Sequence, residues 1–210
     1  MKILTMKFGG TSVADIDRIR AVRDIICDEV KDGWNVVAVV SAMSKETNKL
    51  IDLAKQVGVE SLVDPEYDSL ISTGEDVSSS LLAIALNSIA IYSRSWRGWQ
   101  LPVKTDSFHS NAKIEEIETN QLINSFREGL KVAVVSGFQG IEQAGRITTL
   151  GRGGSDTSAV AIAAAINAER CDIYTDVSGI FTTDPRIKRN ASKLKKISFE
   201  EMLEMASLGA

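Results

Sequence analysis

The sequence predicts a three-layer α/β/α sandwich built on a mostly parallel sheet, and three observations carry that expectation. Val36 to Val40 and Val132 to Val135 are unbroken apolar runs, the pattern of strands buried on both faces. Segments with helical periodicity alternate with these runs, as in βαβ units. Short turns rich in glycine and polar residues follow the strands, where open parallel sheets bind their ligands.

The elements follow in order. Ile3 to Phe8 is a short strand, and Gly9-Gly10-Thr11-Ser12 is the turn after it. Ile16, Ile19, Val22, Ile26 and Val30 recur every three or four residues and predict an amphipathic helix closed by Gly33. Val36 to Val40 returns as a strand, so the first forty residues form one βαβ unit. Lys45 to Val57 is helical, Gly58 to Asp64 a loop, and Ser69 to Ala90 helical with an interruption at Thr73-Gly74. Ile84, Leu86 and Ile89 are expected in the core. Ile91 to Trp96 and Leu101 to Asp106 are strands separated by breakers Gly98 and Pro102, with Trp96 and Trp99 in packing roles. Thr119 to Glu128 is helical before the strand Val132 to Val135. Gly137 to Gly154 holds six glycines and reads as a hairpin or loop leading into an alanine-rich helix, Ser155 to Ala168. Ile173 to Thr175 is a last strand, and Phe199 to Met205 a final short helix.

Length and composition bound the function. A chain of 210 residues with 44% hydrophobic and 25% charged residues fits one globular domain with a real core. A net charge of −4 argues against nucleic acid or an anionic membrane as partner. The basic stretch Arg186, Lys188, Arg189, Lys193, Lys195 and Lys196 is read as a solvated face or a pocket rim. Cys27 and Cys171 lack neighbours at zinc-ligand spacing and suit a reducing compartment, and no metal site is expected from protein ligands. The start MKILTMKFGG is too short in apolar residues for a signal peptide, and no run could span a membrane, so a cytoplasmic protein is expected. His109, the sole histidine, is assigned to a surface or loop.

Three loops carry the residue types that chemistry needs. In Lys7-Phe8-Gly9-Gly10-Thr11-Ser12, paired glycines let backbone approach phosphate oxygens, and Lys7 adds a compact positive charge. A tight turn with a solvated lysine is the plain alternative. Gly151-Arg152-Gly153-Gly154-Ser155-Asp156 offers backbone donors, a guanidinium able to grip a carboxylate, Ser155 as helix N-cap, and a carboxylate to hold a lysine or metal-bound water. Thr175 to Arg186 mixes acceptors, an aromatic and an arginine. There is no Walker A pattern, no GxGxxG after a strand, and no protein-kinase signature set. The residues alone reach an α/β protein with a phosphate-friendly site.

The series Lys-Phe-Gly-Gly-Thr-Ser-Val (7–13), Val-Val-Ser-Ala-Met (39–43), Ser-Thr-Gly-Glu (72–75), Gly-Trp-Gln (98–100), Gly-Arg-Gly-Gly-Ser-Asp-Thr (151–157) and Thr-Asp-Val-Ser-Gly-Ile-Phe-Thr-Thr-Asp-Pro-Arg (175–186) resembles aspartokinases of the amino-acid kinase family, in order and from end to end. The resemblance implies the amino-acid kinase fold and transfer of the γ-phosphoryl of ATP to the β-carboxylate of L-aspartate. Lys7 and Asp156 would be catalytic, Lys7 touching the transferred phosphoryl and Asp156 organising the lysine. Lys7, Phe8, Gly9, Gly10, Ser41, Thr175, Asp176, Phe181 and Arg186 would bind ATP. Thr47, Glu75, Arg152, Gly153, Gly154 and Ser155 would bind aspartate, Glu75 through its ammonium and Arg152 through its α-carboxylate. Mg2+ would bridge the β- and γ-phosphates. A homodimer and a place at the head of lysine, threonine, methionine or diaminopimelate biosynthesis are implied too.

Phe181 stands where the family usually has tyrosine. The chain ends at Ser207-Leu208-Gly209-Ala210, before the family's Lys-Val-Leu-His segment, so residues 1–210 are expected to be a catalytic domain truncated at its C-terminus, without ACT regulatory domains. A split or truncated homologue that binds nucleotide without turnover is the competing reading, as is a relative acting on glutamate, uridine monophosphate or another acidic substrate.

Overall fold

The computed structural model describes residues 1–58, 64–151, 153–176, 179, 181–183, 188, 190–198 and 200–201. Arg152, Arg186, most of the Gly58–Asp64 loop and all of the expected final helix but Glu200 and Glu201 lie outside the described residues. The chain divides into two compact units, residues 1–175 and 176–210.

In the first unit the strands β1 (Ile3–Phe8), β2 (Asn35–Val40), β3 (Ser93–Trp96), β6 (Val132–Ser136) and β9 (Arg170–Tyr174) form a sheet in the order β3-β6-β2-β1-β9. Every pairing in it is parallel. The two central strands β1 and β2 are almost wholly buried, which is why Val36 to Val40 does not alternate. Helices cover both faces. On one side α1 (Ile16–Lys31) and α4 (Thr73–Asn87) pack Ile19, Val22, Ile26, Leu82 and Leu86 against Leu4, Met6, Phe8, Val36 and Val134. On the other, α5 (Asn120–Arg127) and α6 (Gly154–Ala165) pack Leu122, Phe126, Ala159 and Ile162 against Ile3, Val37, Val39 and Val135. This is the expected three-layer sandwich.

A second, four-stranded sheet has the order β5-β4-β7-β8, from β4 (Val103–Thr105), β5 (Ile114–Ile117), β7 (Gln139–Ile141) and β8 (Ile147–Thr149). The pairs β4/β5 and β7/β8 are antiparallel, and β4 joins β7 in parallel through Lys104 and Ile141. The glycine-rich stretch after β6 is thus the β7–β8 hairpin. Two helices complete the unit, α2 (Glu46–Val57) and α3 (Pro65–Ile71).

Some local expectations change. The Ser69–Ala90 helix is two helices that meet at Ser72, and the first begins at Pro65, capped by the Asp64 carboxylate accepting from Glu66 N–H at 2.8 Å. Leu86 is in the core, but Ile84 is 65% exposed and Ile89 also faces out. Ile84 lies off the stripe defined by Leu82 and Leu86, which α4 presents to the sheet, and Ile89 lies past the end of α4 in the turn that follows. Trp96 is buried with the Arg94 guanidinium 4.0 Å from its ring centroid, whereas Trp99 is largely exposed. Among the described residues no helix is long and apolar enough to cross a membrane.

In the second unit Phe181 pairs with Lys193 as an antiparallel bridge, and Lys188, Lys193, Lys195 and Lys196 are exposed.

Candidate active site

The parallel sheet brings the carboxyl ends of β1, β2, β6 and β9 to one edge. Backbone bonds tie those ends together: Ser41 N–H donates to the Phe8 carbonyl at 3.1 Å, Gly137 N–H to the Val40 carbonyl at 3.0 Å, and Gly9 N–H to the Tyr174 carbonyl at 3.4 Å. Residues distant in sequence are therefore neighbours here.

Strand alternation decides where Lys7 points. Leu4, Met6 and Phe8 enter the core beneath α1 and α4, so Lys7 faces the α6 side. Its ammonium lies 2.8 Å from Asp156 Oδ1 in the first turn of α6. Lys7 is buried, while the Asp156 side chain is 48% exposed, so the pair sits at the mouth of the site rather than sealed inside it. The Phe8 ring is in the core, stacked on Tyr174 with centroids 4.7 Å apart. What Phe8 offers the site is backbone, and its carbonyl is already held by Ser41.

Gly10 has a steric reason to be glycine. A Cβ there would lie 3.0 Å from the Ala42 carbonyl oxygen, so the turn after β1 and the turn after β2 touch. The β2 turn is fixed in its place from α4: Ser78 Oγ donates to the Ser41 carbonyl at 2.7 Å, and Ala42 N–H donates to Glu75 Oε1 at 3.0 Å. Thr47, half-buried in the first turn of α2, follows the same turn.

Glu75 is the electrostatic oddity of the site. It is 4% exposed, and its second oxygen, Oε2, is buried without a hydrogen-bond partner among the described residues. Burial pushes its carboxyl up to about 7, against the opposing pull of the Ala42 N–H and with a further push from neighbouring Asp76. Asp76 itself is fully engaged, accepting from Ser136 Oγ at 3.0 Å and Gln139 Nε2 at 3.2 Å and pairing with Arg97 at 3.0 Å. A buried carboxylate with one idle oxygen is costly unless a cation arrives to meet it.

The 151–156 loop enters α6. Gly153, in the left-handed region with φ 75°, is the N-cap, and Asp156 N–H and Thr157 N–H donate to its carbonyl. Ser155 is therefore not the N-cap expected from the sequence. It is a buried residue of the first turn, packed so closely on Gly137 that a Cβ on that glycine would lie 3.0 Å from Ser155 Oγ. Glycine in the left-handed region costs nothing, so the cap moves upstream and Ser155 turns to the strand ends.

Lys7, Gly9, Gly10, Ser41, Glu75, Ser155 and Asp156 thus come together, with Thr175 at the end of β9. Asp176 and Phe181 belong to the second unit, and Arg152 and Arg186 lie outside the described residues. Sequence reasoning missed Ser78 and the Ala42 N–H, which orient Glu75 and the β2 turn. It also assigned His109 to a surface or loop. His109 lies in a loop but is buried, with Nδ1 3.0 Å from Asp68 Oδ2.

The geometry defines a class first: an open parallel α/β protein whose ligand site, a lysine–carboxylate pair beside a glycine turn and an unpaired buried acid, lies at the carboxyl ends of its strands. The chain belongs to the amino acid kinase family, which it matches over residues 2–210. It is 53% identical to an aspartokinase of Bacillus sp. (strain MGA3) and 51% identical to one of Geobacillus stearothermophilus, in each case over the whole of this chain and 51% of the relative. The chain spans about half the length of these curated relatives. Among solved structures, aspartate kinase from Synechocystis superposes with a TM-score of 0.82 at 47% identity, covering 98% of this chain and 34% of that one. E. coli aspartokinase III in complex with aspartate and ADP superposes at 0.84 with 30% identity, covering 98% of this chain and 56% of that one.

Proposed function

We propose that this chain is the catalytic part of an aspartate kinase, which transfers the γ-phosphoryl group of ATP to the β-carboxylate of L-aspartate. The observation that carries the reading is the pairing of two opposite charge states at one sheet edge. Lys7, held by Asp156, is a fixed cation beside the Gly9-Gly10 turn, and Glu75 is a buried acid with an oxygen that has no hydrogen-bond partner among the described residues. An amino acid brings a cation in its ammonium. Identities of about half to aspartokinases over the full chain support the same substrate.

Lys7 stabilises the charge that builds on the transferred phosphoryl, and Asp156 keeps its ammonium aimed at the sheet edge. Glu75 binds the aspartate ammonium, with Ala42 N–H holding its other oxygen in place. Arg152 takes the α-carboxylate, and Thr47, Gly153, Gly154 and Ser155 complete the acceptor pocket. The β-carboxylate is already ionised at neutral pH, so it attacks without a strong general base. Phe8, Gly9, Gly10, Ser41, Thr175, Asp176, Phe181 and Arg186 bind the nucleotide. Mg2+ enters as part of the Mg-ATP substrate, and the half-exposed Asp156 carboxylate is suited to a metal-bound water. A cytoplasmic homodimer acting at the head of an aspartate-derived amino-acid pathway belongs to the same proposal.

The test is Mg-ATP-dependent ADP release with L-aspartate, with Lys7→Ala as control. Aspartate-dependent turnover that the substitution abolishes is the expected result. ADP release that ignores aspartate, or that glutamate supports as well, would sink the assignment.

A further inference from the structure

The most heavily bonded carboxylate among the described residues lies outside the catalytic set. Asp68, in α3, is fully buried. Its Oδ1 accepts from Thr149 Oγ1 at 2.7 Å, Ser110 Oγ at 3.1 Å and Ser110 N–H at 3.1 Å. Its Oδ2 accepts from Thr149 N–H at 2.9 Å, Ser110 N–H at 2.9 Å and, at 3.0 Å, His109 Nδ1, the nitrogen that carries the proton in this arrangement. Fold stability alone does not call for such a knot, since a buried charge is a poor way to stabilise a helix contact. It is a good way to set one spacing and no other.

What the knot joins is specific. Thr149 is the last residue of β8, and two residues later the chain reaches Gly151 and the 151–156 loop. Gly151 has φ 73°, and a Cβ on it would lie 2.6 Å from Asn111 Oδ1 and 3.3 Å from the Ser110 carbonyl. The segment that donates to Asp68 is thus wedged against the start of that loop, and Ala112 N–H donates to the Thr149 carbonyl at 2.9 Å. In the other direction, α3 passes through Ser72 straight into α4, whose first turn holds Glu75. One carboxylate therefore ties the strand leading to the loop of Ser155 and Asp156 to the helix leading to Glu75.

We infer that Asp68 is a positioning residue for the acceptor amino acid: it fixes the separation between the ammonium-binding arm at Glu75 and the arm of the acceptor pocket that holds Ser155. The inference rests on the proposed aspartate kinase function. Asp68 touches no substrate and acts only through Thr149, Ser110 and α3. Loss of its charge should relax the acceptor pocket and leave the nucleotide side, built on β1 and β9, in place. An asparagine can keep its oxygen toward the Thr149 and Ser110 N–H groups, but its amide N–H2 must then donate to the Thr149 and Ser110 hydroxyls, which reverses those bonds and removes the charge that strengthens the others.

The experiment is steady-state kinetics on the purified protein for wild type, Asp68→Asn, Thr149→Val and Thr149→Ser, with circular dichroism to report folding. Asp68→Asn is expected to raise the KM for L-aspartate at least about tenfold while the KM for ATP stays within about twofold. Thr149→Val, which removes only the 2.7 Å bond, should shift the aspartate KM the same way by a few fold, and Thr149→Ser should restore it. If Asp68→Asn does not fold, the Thr149 pair decides the question. Folded variants whose two KM values move together, or do not move, overturn the inference alone. Absence of aspartate turnover in the wild type removes the functional reading, and this inference with it.

Discussion

Lys7 and Glu75 are both buried, ionisable and placed at the carboxyl edge of the same sheet, yet the protein treats them oppositely. Lys7 has its counter-ion built in, Asp156 at 2.8 Å. Glu75 has one oxygen held by Ala42 N–H and the other with no hydrogen-bond partner among the described residues. A charge neutralised within the fold is organised before any ligand arrives. A charge left uncompensated is unfavourable until a ligand compensates it, and that converts desolvation into selectivity for a cation. Under the proposed function, the lysine side is prepared for chemistry, and the glutamate side for recognition.

That contrast can be broken or sharpened by measurement. The largest expected effect is on kcat: Lys7→Ala should lower it about a thousandfold, the range for removing a transition-state charge stabiliser, with little change in aspartate binding. A fall in aspartate affinity of the same size would erase the division of labour. Next is stability. Glu75 has a folded-state pKa of about 7 against an unfolded value near 4.5, so its contribution is fully present below the unfolded value and is lost as pH rises through about 7. Glu75→Gln should therefore be more stable than wild type at pH 8, by on the order of 3 kcal/mol at most, and nearly equal to it at pH 4.5. Thermal melts at the two pH values check the sign.

The same Glu75→Gln variant should bind aspartate about a hundredfold more weakly, because the ammonium loses its buried counter-charge. Isothermal titration measures this, and gain of stability with loss of binding in one variant is the signature of a group kept for function. A smaller effect follows from titration. Below pH 7 the free wild type must give up a proton to pair with the ammonium, so its dissociation constant for aspartate should rise about tenfold per pH unit, and the Glu75→Gln curve should be flat. At the bottom of the scale, Arg146→Ala removes a surface pair with Glu66, far from both charges in role, and should shift the melting midpoint by no more than about 1 °C. A larger change there would mean that surface pairs matter in this fold more than the contrast allows.

Much of the fold was legible because its signals are local and redundant. Val36 to Val40 announces a strand buried on both faces, and the spacing of Ile19, Val22 and Ile26 announces the helix that covers it. Strand β5, with the sequence Ile-Glu-Glu-Ile, was missed because it lies at the edge of the small sheet with both glutamates exposed, and its pattern is not that of a buried strand. Ile84 and Ile89 were placed in the core as apolar residues, but α4 points Ile84 outward, since the face supplied by Leu82 and Leu86 meets the sheet, and Ile89 falls after the helix has ended. Ser155 looked like an N-cap because serine favours that position, and Gly153 took it because only glycine adopts the required backbone without strain.

By itself the sequence determined the alternation of strands and helices, the burial of the central strands, and the family, since its motifs occur in order over the whole chain. Such features depend on residues near one another along the chain, and periodicity and turn chemistry report them directly. Only the tertiary structure decided which of two acids is paired and which is left waiting. The bond between Ala42 and Glu75 spans 33 positions, and those from Asp68 to Ser110 and Thr149 span 42 and 81. Nothing in local sequence encodes such contacts, because desolvation and hydrogen-bond satisfaction are set by what packs against a group from elsewhere in the chain.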